Sequence, residues 1–208
     1  MLVDFARGFP DIQLDVSFAD RLVSLVDEGF DVAVRVGNPG DSSLIARRLA
    51  PCRIVVCAAP EYLARRGTPL VPADLSRHDC VRYMYGEGGE IWHFEQAEQK
   101  VAIRVRGQLR TNHGEAMRVA VVRGRAIAAL PSFIISAELA AGTLVPLLQD
   151  WRVDEMAVHA VYPPGRNPTA KLRSFIDFLV PRFGEHPSWD AWASRGGAAD
   201  SRVAARAS

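Results

Sequence analysis

Short strand-like runs alternate with helix-like stretches along this chain, and this alternation constrains the fold more than any other feature. Residues 12–18 carry an apolar side chain at every second position, which is the period of a half-buried strand. A helix-like stretch from about Asp20 to Gly29 follows, and residues 31–36 form a second strand-like run. We interpret the three segments as a βαβ unit, which is almost always right-handed and parallel.

The same alternation continues to residue 183. Further strands are predicted over residues 44–49, 53–58, 91–94, 101–109, 126–130 and 156–162, and helices over residues 60–66, 115–123, 133–141 and 171–183. This order predicts an α/β protein whose sheets are mixed but mostly parallel and are flanked by helices. Ligands bind beyond the carboxyl ends of strands in such folds. Gly37, Asn112 and Pro131 are therefore candidate site residues, because each follows a predicted strand.

Composition and motifs narrow the class of function. The chain has 208 residues, and its 25 basic and 24 acidic side chains give a net charge of +1. A protein that binds nucleic acid mainly by neutralising phosphates has a basic surplus, so nucleic-acid binding by the whole chain is disfavoured. No apolar run is long enough to span a bilayer, and the first residues do not resemble a signal peptide. We therefore expect a cytoplasmic protein without membrane association.

The sequence offers no motif for catalysis or metal binding. It contains no His-Glu-x-x-His, Gly-x-Ser-x-Gly or Walker-type pattern, and no histidine pair has metal-ligand spacing. The three cysteines include no Cys-x-x-Cys pair. Cys52 and Cys57 are expected to point to opposite faces of the sheet and to be small buried apolar residues. We expect no enzymatic activity, no metal and no cofactor.

Arg35 is the most informative candidate for binding a ligand. It lies between Val34 and Val36 at the end of a predicted strand, where its guanidinium is placed to bind a carboxylate. The alternative is an arginine on the solvent face that pairs with Asp31 or Asp41.

Four other side chains are candidates, each with an ordinary structural alternative. Asn112 and His113 open a helix whose free N–H groups favour anions, and the alternative is that Asn112 simply caps that helix. Phe18 and Phe133 lie at the ends of predicted elements, where an aromatic ring is as often part of the core as part of a pocket wall.

Taken in order, the segments of this chain resemble the effector-binding domain of LysR-type transcriptional regulators. The resemblance is carried by FPDIQL at 9–14, LVSLVDEGFDVAVRVG at 22–37, DSSLIARRL at 41–49, AAPEYLARRGTP at 58–69, PADLSRHDC at 72–80, GRAIAALP at 124–131, LAAGTLV at 139–145, YP at 162–163 and KLRSFIDFL at 171–179. No counterpart is found for the family's DNA-binding domain, its linker helix or the first strand of the first lobe. A sheet without that inner strand is expected to expose the edges of its neighbours.

The resemblance implies a two-lobed, type II periplasmic-binding-protein-like fold. Lobe I is expected to comprise residues 1–80 and 156–184, lobe II residues 81–155 with the crossovers, and residues 185–208 a disordered tail. The implied ligand is a small organic-acid or aromatic effector, and its candidate site residues are Phe18, Arg35, Gly37, Asn112, His113, Pro131 and Phe133. The implied assembly is a homodimer or tetramer that contacts DNA only through the missing domain. A stand-alone solute-binding protein of the same fold is the alternative function.

Overall fold

The computed structural model describes residues 1–21, 23–37, 39, 43–85, 89–153, 156–165 and 169–193. The chain divides into two units: Met1–Pro51 with Met156–Pro187, and Cys52–Glu155 with Ser188–Ser208. Residues 52–80, which the sequence places in lobe I, therefore lie in the second unit.

The first unit is organised by a three-stranded sheet in which residues 156–162 lie between residues 33–36 and residues 45–52. Its elements are α1 (Leu2–Gly8), β1 (Ala33–Val36), β2 (Ile45–Cys52), β11 (Met156–Tyr162) and α5 (Ala170–Phe183). Strand β11 has the bounds that the sequence predicts, and α5 begins one residue earlier than predicted. Strand β1 pairs antiparallel with β11, and the register places Arg35 opposite His159.

Aromatic packing joins α1 to α5 within the first unit. The Phe5 side chain is fully buried, and its ring centroid lies 4.6 Å from that of Phe9 and 5.0 and 5.1 Å from those of Phe175 and Phe178. Aromatic rings at these separations add attraction to the burial of their apolar area. Leu172, Ile176 and Leu179 are buried on the same helix, as the helical spacing predicts.

The predicted βαβ unit at the start of the chain is not formed. Residues 12–19 are irregular and pair with no described strand, and residues 25–29 form only a turn that ends at Gly29. Leu22, which the predicted helix includes, lies outside the described residues. A strand is stabilised by the ladder that it shares with a neighbour, and Phe18 is 87% exposed here. The alternation of apolar and polar side chains at residues 12–18 is therefore not enough by itself to form a strand.

Strand β1 is an edge strand of the described sheet. Val34 and Val36 on it are 45% and 42% exposed. An edge of this kind offers unpaired backbone groups and apolar side chains to other chains.

The described residues of the second unit form three small sheets with helices packed around them. Its strands are β3 (Ile54–Ala58), β4 (Arg82–Tyr83), β5 (Ile91–Gln96), β6 (Gln99–Arg104), β7 (Arg110–Thr111), β8 (Ala128–Pro131), β9 (Val145–Pro146) and β10 (Arg152–Val153). Its helices are α2 (Pro60–Arg66), α3 (Gly114–Val122), α4 (Ser132–Ala141) and 3-10 turns at Pro72–Arg77 and Ser188–Asp190. Helix α2 has the predicted bounds and ends at Gly67, whose φ of +82° suits a residue without a side chain.

The α/β class is confirmed, but the strands are not mostly parallel. Strand β3 pairs antiparallel with both β8 and β9, and β5 and β6 form an antiparallel hairpin. Among the described pairings of the second unit, only the short β4–β7 ladder and two isolated bridges are parallel. The alternation of side chains is the same in both kinds of ladder, so strand direction is set by the connections and not by periodicity.

Strand β3 separates the two core clusters of the second unit. Val55 and Cys57 join a cluster that includes Leu130 and Ile135, whereas Val56 and Ala58 join a cluster with Trp92 and Leu75. Successive side chains of a strand point to opposite faces, so one short strand supplies both clusters. The pairing of β3 with β8 and β9 also explains why residues 52–80 belong to this unit.

The C-terminal residues up to 193 are packed, contrary to the disorder expected from residue 185 onward. The 3-10 turn Ser188–Asp190 contacts α4, and Trp192 packs against the core cluster of the second unit. The composition of this stretch is rich in small residues, but the two tryptophans carry enough apolar area to hold it. Residues 194–208 lie outside the described part of the chain.

A buried polar network lies between α2 and the 3-10 turn that follows it. Tyr62 Oη accepts a hydrogen bond from the Asp79 N–H at 3.0 Å and lies 3.2 Å from Nδ1 of His78. His78 is only 9% exposed. Burial lowers the pKa of His78 below its ordinary value of 6.5, and the positive charge of Arg66 adds to this effect.

Replacing Phe5 with Ala should destabilise the first unit by about 3–5 kcal/mol, because a fully enclosed ring is lost and a cavity remains. The matched control is Phe18→Ala, which removes an exposed ring and should change the free energy of unfolding by less than about 0.5 kcal/mol. Urea denaturation followed by far-UV circular dichroism measures both values. Similar losses in the two variants would contradict the packing described for Phe5.

The second unit should lose stability as the pH falls below about 6.5. The pKa of His78 is lower in the folded than in the unfolded chain, so the unfolded chain takes up the proton first. Stabilisation is complete above the unfolded pKa and is lost as the pH falls through the folded pKa. Denaturation at pH 7 and pH 5, followed by the fluorescence of the tryptophans, all of which lie in this unit, measures the loss. The loss of stability between pH 7 and pH 5 should be smaller in His78→Gln than in the parent protein. It should be unchanged in His93→Gln, the control at an exposed site.

Candidate functional site

Arg35 is half-buried on β1, and its side chain is held by the backbone of a neighbouring loop. Its Nη2 donates a hydrogen bond to the carbonyl oxygen of Val23 at 2.6 Å. Asp31, one of the two carboxylates considered as its partner, instead accepts from Nζ of Lys171 at 2.7 Å. Asp41, the other, lies outside the described residues. A guanidinium has five N–H donors, so the bond to Val23 leaves donors for a carboxylate ligand.

Gly37 and Phe18, the other two candidates of the first unit, lie in different environments. The Gly37 N–H donates to the Ala157 carbonyl at 2.9 Å, which closes β1 against β11. The φ of +123° at Gly37 is unfavourable for any residue with a side chain. Phe18 lies on the surface of its unit, so it is not the core residue that the alternative interpretation required.

Helix α3 begins at Gly114, one residue before the predicted start at Glu115, and its cap is His113 instead of Asn112. His113 Nδ1 accepts a hydrogen bond from the Ala116 N–H at 3.3 Å. Asn112 Nδ2 donates instead to the Tyr85 hydroxyl at 3.3 Å. The Thr111 hydroxyl accepts from the His113 N–H at 3.1 Å and so fixes the chain at the end of β7. Asn112 is thus not the helix cap.

Helix α4 begins directly after β8 without a side-chain cap. Pro131 precedes it, and no acidic residue stands in its first turn. The Ser132 N–H donates to the Arg53 carbonyl at 2.8 Å. The Ser132 side chain is fully buried, and its Oγ has no hydrogen-bond partner among the described residues. An unsatisfied buried hydroxyl is unfavourable, so its presence calls for an explanation.

The first turns of α3 and α4 lie side by side in the second unit. A Cβ added at Gly114 would stand 2.7 Å from Cδ1 of Ile134, which shows how closely the two helices approach at their beginnings. The structure therefore brings the beginning of α3, which His113 caps, close to the first turn of α4. It adds Ser132, which sequence reasoning passed over, although a serine that follows a proline at a helix start is a signal for capping and turns.

Helix N-termini favour anions because their backbone N–H groups are unpaired and their dipoles point outward. Glu115 in the first turn of α3 opposes this effect, but Arg118 pairs with it and also with Glu138 of α4. The hydrogen bond from Arg118 lowers the pKa of Glu115, so that carboxylate stays ionised and paired. The same arginine ties the two helices together. The corner defined by these two first turns is therefore suited to an acidic or hydrogen-bonding ligand.

The three cysteine thiols are protonated near neutral pH. Burial raises the pKa of Cys52 to about 11 and those of Cys57 and Cys80 to about 12. All three are free and buried, as expected for small apolar residues. Within the described part of the chain, no group of three or more His, Cys, Asp or Glu side chains is arranged to hold a metal ion. None of the described helices is long and apolar enough to cross a membrane.

Two surface grooves lie away from these residues. The larger, about 430 Å³, runs over the outer face of the β10-β5-β6 sheet, and the smaller, about 290 Å³, lies between β11 and α5. In the larger groove, Glu95 pairs with Lys100 at 3.7 Å and with Arg152 at 3.8 Å. Its charges are already compensated, so it is a weaker candidate for a ligand than the corner of α3 and α4.

Residues 1–184 match the LysR substrate binding domain family. The chain belongs to this family. It is 34% identical over 183 residues to the HTH-type transcriptional regulator PtxR of Pseudomonas aeruginosa, a match that covers 88% of this chain and 59% of PtxR. It is also 34% identical over 190 residues to the HTH-type transcriptional regulator DmlR of Escherichia coli, covering 89% and 60%. The LysR-family chain thus spans about three-fifths of the length of these curated relatives.

Solved structures agree with the family assignment. The regulatory domain of CrgA from Neisseria meningitidis aligns with a TM-score of 0.77 at 30% identity and covers 88% of this chain and 90% of that one. Full-length AphB of Vibrio cholerae aligns with a TM-score of 0.75 at 25% identity, covering 86% and 61%. The periplasmic-binding-protein-like fold of the LysR regulatory domains is therefore confirmed. The family match ends at residue 184, so residues 185–193 lie beyond it.

Replacing His113 with Ala should lower the free energy of unfolding of the second unit by about 1 kcal/mol, since the helix loses its capping acceptor. Asn112→Ala is the control and should stay within about 0.5 kcal/mol of the parent protein, because Asn112 does not cap the helix. His113→Asn should restore most of the stability, since asparagine is a good cap. Urea denaturation followed by tryptophan fluorescence measures all three. A larger loss of stability in Asn112→Ala than in His113→Ala would show that Asn112 caps the helix.

Proposed function

We propose that this chain is the effector-sensing domain of a LysR-type transcriptional regulator and that it binds a small organic acid at the first turns of α3 and α4. The observation that carries the proposal is the buried Ser132 hydroxyl without a partner, at the beginning of a helix that has no side-chain cap. A ligand carboxylate there would accept hydrogen bonds from the hydroxyl and from free backbone N–H groups.

The neighbouring candidates suit the remainder of such a ligand. Phe133 is 39% exposed, and its ring offers an apolar wall for an aliphatic or aromatic part of the acid. His113 caps α3, Asn112 precedes it, and Pro131 precedes α4, so these residues are our further candidates at this corner. In the first unit, Arg35 remains our candidate for binding a carboxylate, and Gly37 and Phe18 remain the other candidates of that unit.

Family membership supports the rest of the proposal. The relatives are named as HTH-type transcriptional regulators. We infer that DNA is bound by a winged helix-turn-helix domain outside these 208 residues, in a cytoplasmic homodimer or tetramer. An effector that binds one arrangement of the domain more tightly shifts the equilibrium toward that arrangement. The regulator transmits this shift to its DNA-binding part.

The proposal is tested by a thermal-shift screen of aliphatic and aromatic carboxylates against the full chain, followed by calorimetric titration of those that bind. Ser132→Ala should weaken binding of such an acid by about tenfold, since a hydrogen bond to a charged group is worth about 1.5–3 kcal/mol. The control is Ser136→Ala on the same helix, which should bind with unchanged affinity. Unchanged affinity in Ser132→Ala would sink the proposed site at the first turns of α3 and α4, and Arg35→Ala tests the separate candidate of the first unit.

Ser132→Ala should also stabilise the ligand-free domain slightly, by up to about 1 kcal/mol, because a buried hydroxyl without a partner is removed. A residue that serves only the fold would lose stability on the same change. Opposite effects on stability and on affinity are therefore the signature of a binding role. Urea denaturation of the ligand-free protein supplies the stability value.

A further inference from the structure

Six exposed arginines lie together where α2 and α3 end in the second unit. Two of them stand in the last turn of α2, one ends the 3-10 turn Pro72–Arg77, and two follow α3. The sixth lies just after β6. We name this set the arginine patch, and it comprises Arg65, Arg66, Arg77, Arg106, Arg123 and Arg125.

Hydrogen bonds to backbone carbonyls hold two of these arginines against the neighbouring elements. Arg65 Nη2 donates to the Gly124 carbonyl at 2.6 Å. That glycine separates the two arginines that follow α3, so three arginines meet where α2 and α3 end. Arg66 Nη2 donates to the Arg77 carbonyl at 3.2 Å, which brings the end of the 3-10 turn to the same place.

Short parallel pairings bring Arg106 to the same surface. The backbone of Arg106 is bridged to that of Asp79, and the residue after Asp79 is bridged to Ile127 on the opposite edge. Arg125 precedes Ile127 by two residues. It and Arg106 therefore lie on the two sides of this short segment. Arg66 reaches the segment from α2, with its Nη2 3.9 Å from Oδ2 of Asp79, so the six arginines belong to one continuous surface.

The arginine patch carries more positive charge than its surroundings neutralise. Glu61 pairs with Arg65, and Asp79 approaches Arg66. A third carboxylate, that of Asp74, accepts hydrogen bonds from two backbone N–H groups. The other four arginines form no ion pair in the described part of the chain. Six guanidinium charges against three carboxylates and the partial charges of two helix ends leave a surplus of about two. The whole chain has a net charge of only +1, so positive charge is concentrated here.

Compensation of helix dipoles accounts for only part of the arginine patch. Arg65 and Arg66 in the last turn of α2, and Arg123 at the end of α3, lie where a cation is favourable. Arg106 and Arg125 are exposed and lie outside the described helices. These two neither stabilise a helix end nor pair with a described carboxylate, so their guanidiniums are available to a partner.

The arginine patch and the candidate effector corner lie at opposite ends of α3. His113 caps the beginning of α3 and Arg123 follows its last residue, so the nine helical residues place the two ends about 13 Å apart. Six guanidiniums spread over several elements suit an extended anion better than a single small one. A guanidinium binds phosphate through two parallel hydrogen bonds, which favours a chain of phosphates as the partner.

We propose that the arginine patch binds the phosphate backbone of duplex DNA and adds contacts to those of the separate DNA-binding domain. Duplex DNA carries closely spaced phosphates along its axis, and arginines that neutralise them release counterions. Such contacts position a protein on the duplex without reading its sequence. The choice of DNA among polyanions rests on the proposed function, which makes this chain part of a DNA-binding regulator. A net charge of +1 disfavours binding by the whole chain but does not oppose a local patch.

The test is fluorescence anisotropy of a short labelled duplex of arbitrary sequence, titrated with the full chain. The association constant should fall steeply between about 50 and about 200 mM sodium chloride, with a logarithmic slope of roughly −5 if all six arginines contact phosphates. The triple variant Arg106→Gln, Arg123→Gln and Arg125→Gln should halve that slope and weaken binding by about tenfold or more at about 50 mM salt. No binding of the duplex by the parent protein, or an unchanged slope in the triple variant, would overturn the proposal.

A pair of single variants separates the arginine patch from net charge. Arg125→Gln should lower the slope by about one. The matched control is Arg7→Gln, which removes an exposed arginine from the last turn of α1 in the first unit and should leave the slope unchanged. Both side chains are exposed, so the urea midpoints of both variants should equal that of the parent protein. Equal effects of the two variants on the slope would show that net charge alone attracts the duplex and would overturn the patch.

An acidic protein is the other kind of partner that positive charge would attract, and labelled polyglutamate is the probe for it. Binding of polyglutamate without binding of the duplex would overturn DNA as the partner. None of these measurements uses an effector. If organic acids bind at Ser132 but the duplex does not bind, the proposal for the arginine patch fails alone. If the duplex binds through the patch but no acid binds, the proposed function fails alone.

Discussion

The burial of β3 on both faces is the constraint on which the second unit depends. Four of its five residues belong to two separate core clusters, and β8 and β9 are aligned against its two edges. The pairing of β8 with β3 fixes the position of the last residue of β8, Pro131. Helix α4 begins at the next residue, Ser132. The candidate site is thus a consequence of sheet pairing, since the strand ladder positions the helix start.

The same corner carries the features that do not serve stability. A buried hydroxyl lacks a partner there, and the first turn of α4 has neither a cap nor an acidic side chain. By contrast, the polar groups around Tyr62 and His78 bond to one another and to the backbone. Polar groups that fold a protein are satisfied, whereas groups left unsatisfied are free to act on a ligand. Within one unit, the corner and the network therefore differ in how completely their polar groups are hydrogen-bonded.

Several elements could be predicted because their signals are local. Helix α2 begins with Pro60 and ends at Gly67, and both residues act on the backbone beside them. Strand β11 and the apolar face of α5 are regular patterns bounded by turn residues. The strand expected at residues 12–18 has an equally regular pattern, yet it does not form, because no described strand lies beside it to complete a ladder. The cap expected from Asn112 moved to His113, because the Thr111 hydroxyl and the end of β7 set where the chain turns.

The sequence by itself determined the α/β class, the family, the ends of the glycine-terminated helices and the segments that carry the candidate residues. Only the tertiary structure decided strand direction, the membership of residues 52–80 and the neighbourhood of the first turns of α3 and α4. It also decided that Ser132 is buried without a partner and that two tryptophans hold residues 188–192 on the second unit. The reason is the separation along the chain over which each interaction acts. Periodicity and capping act over a few residues, whereas ladders, burial and polar satisfaction depend on groups that are distant in the chain.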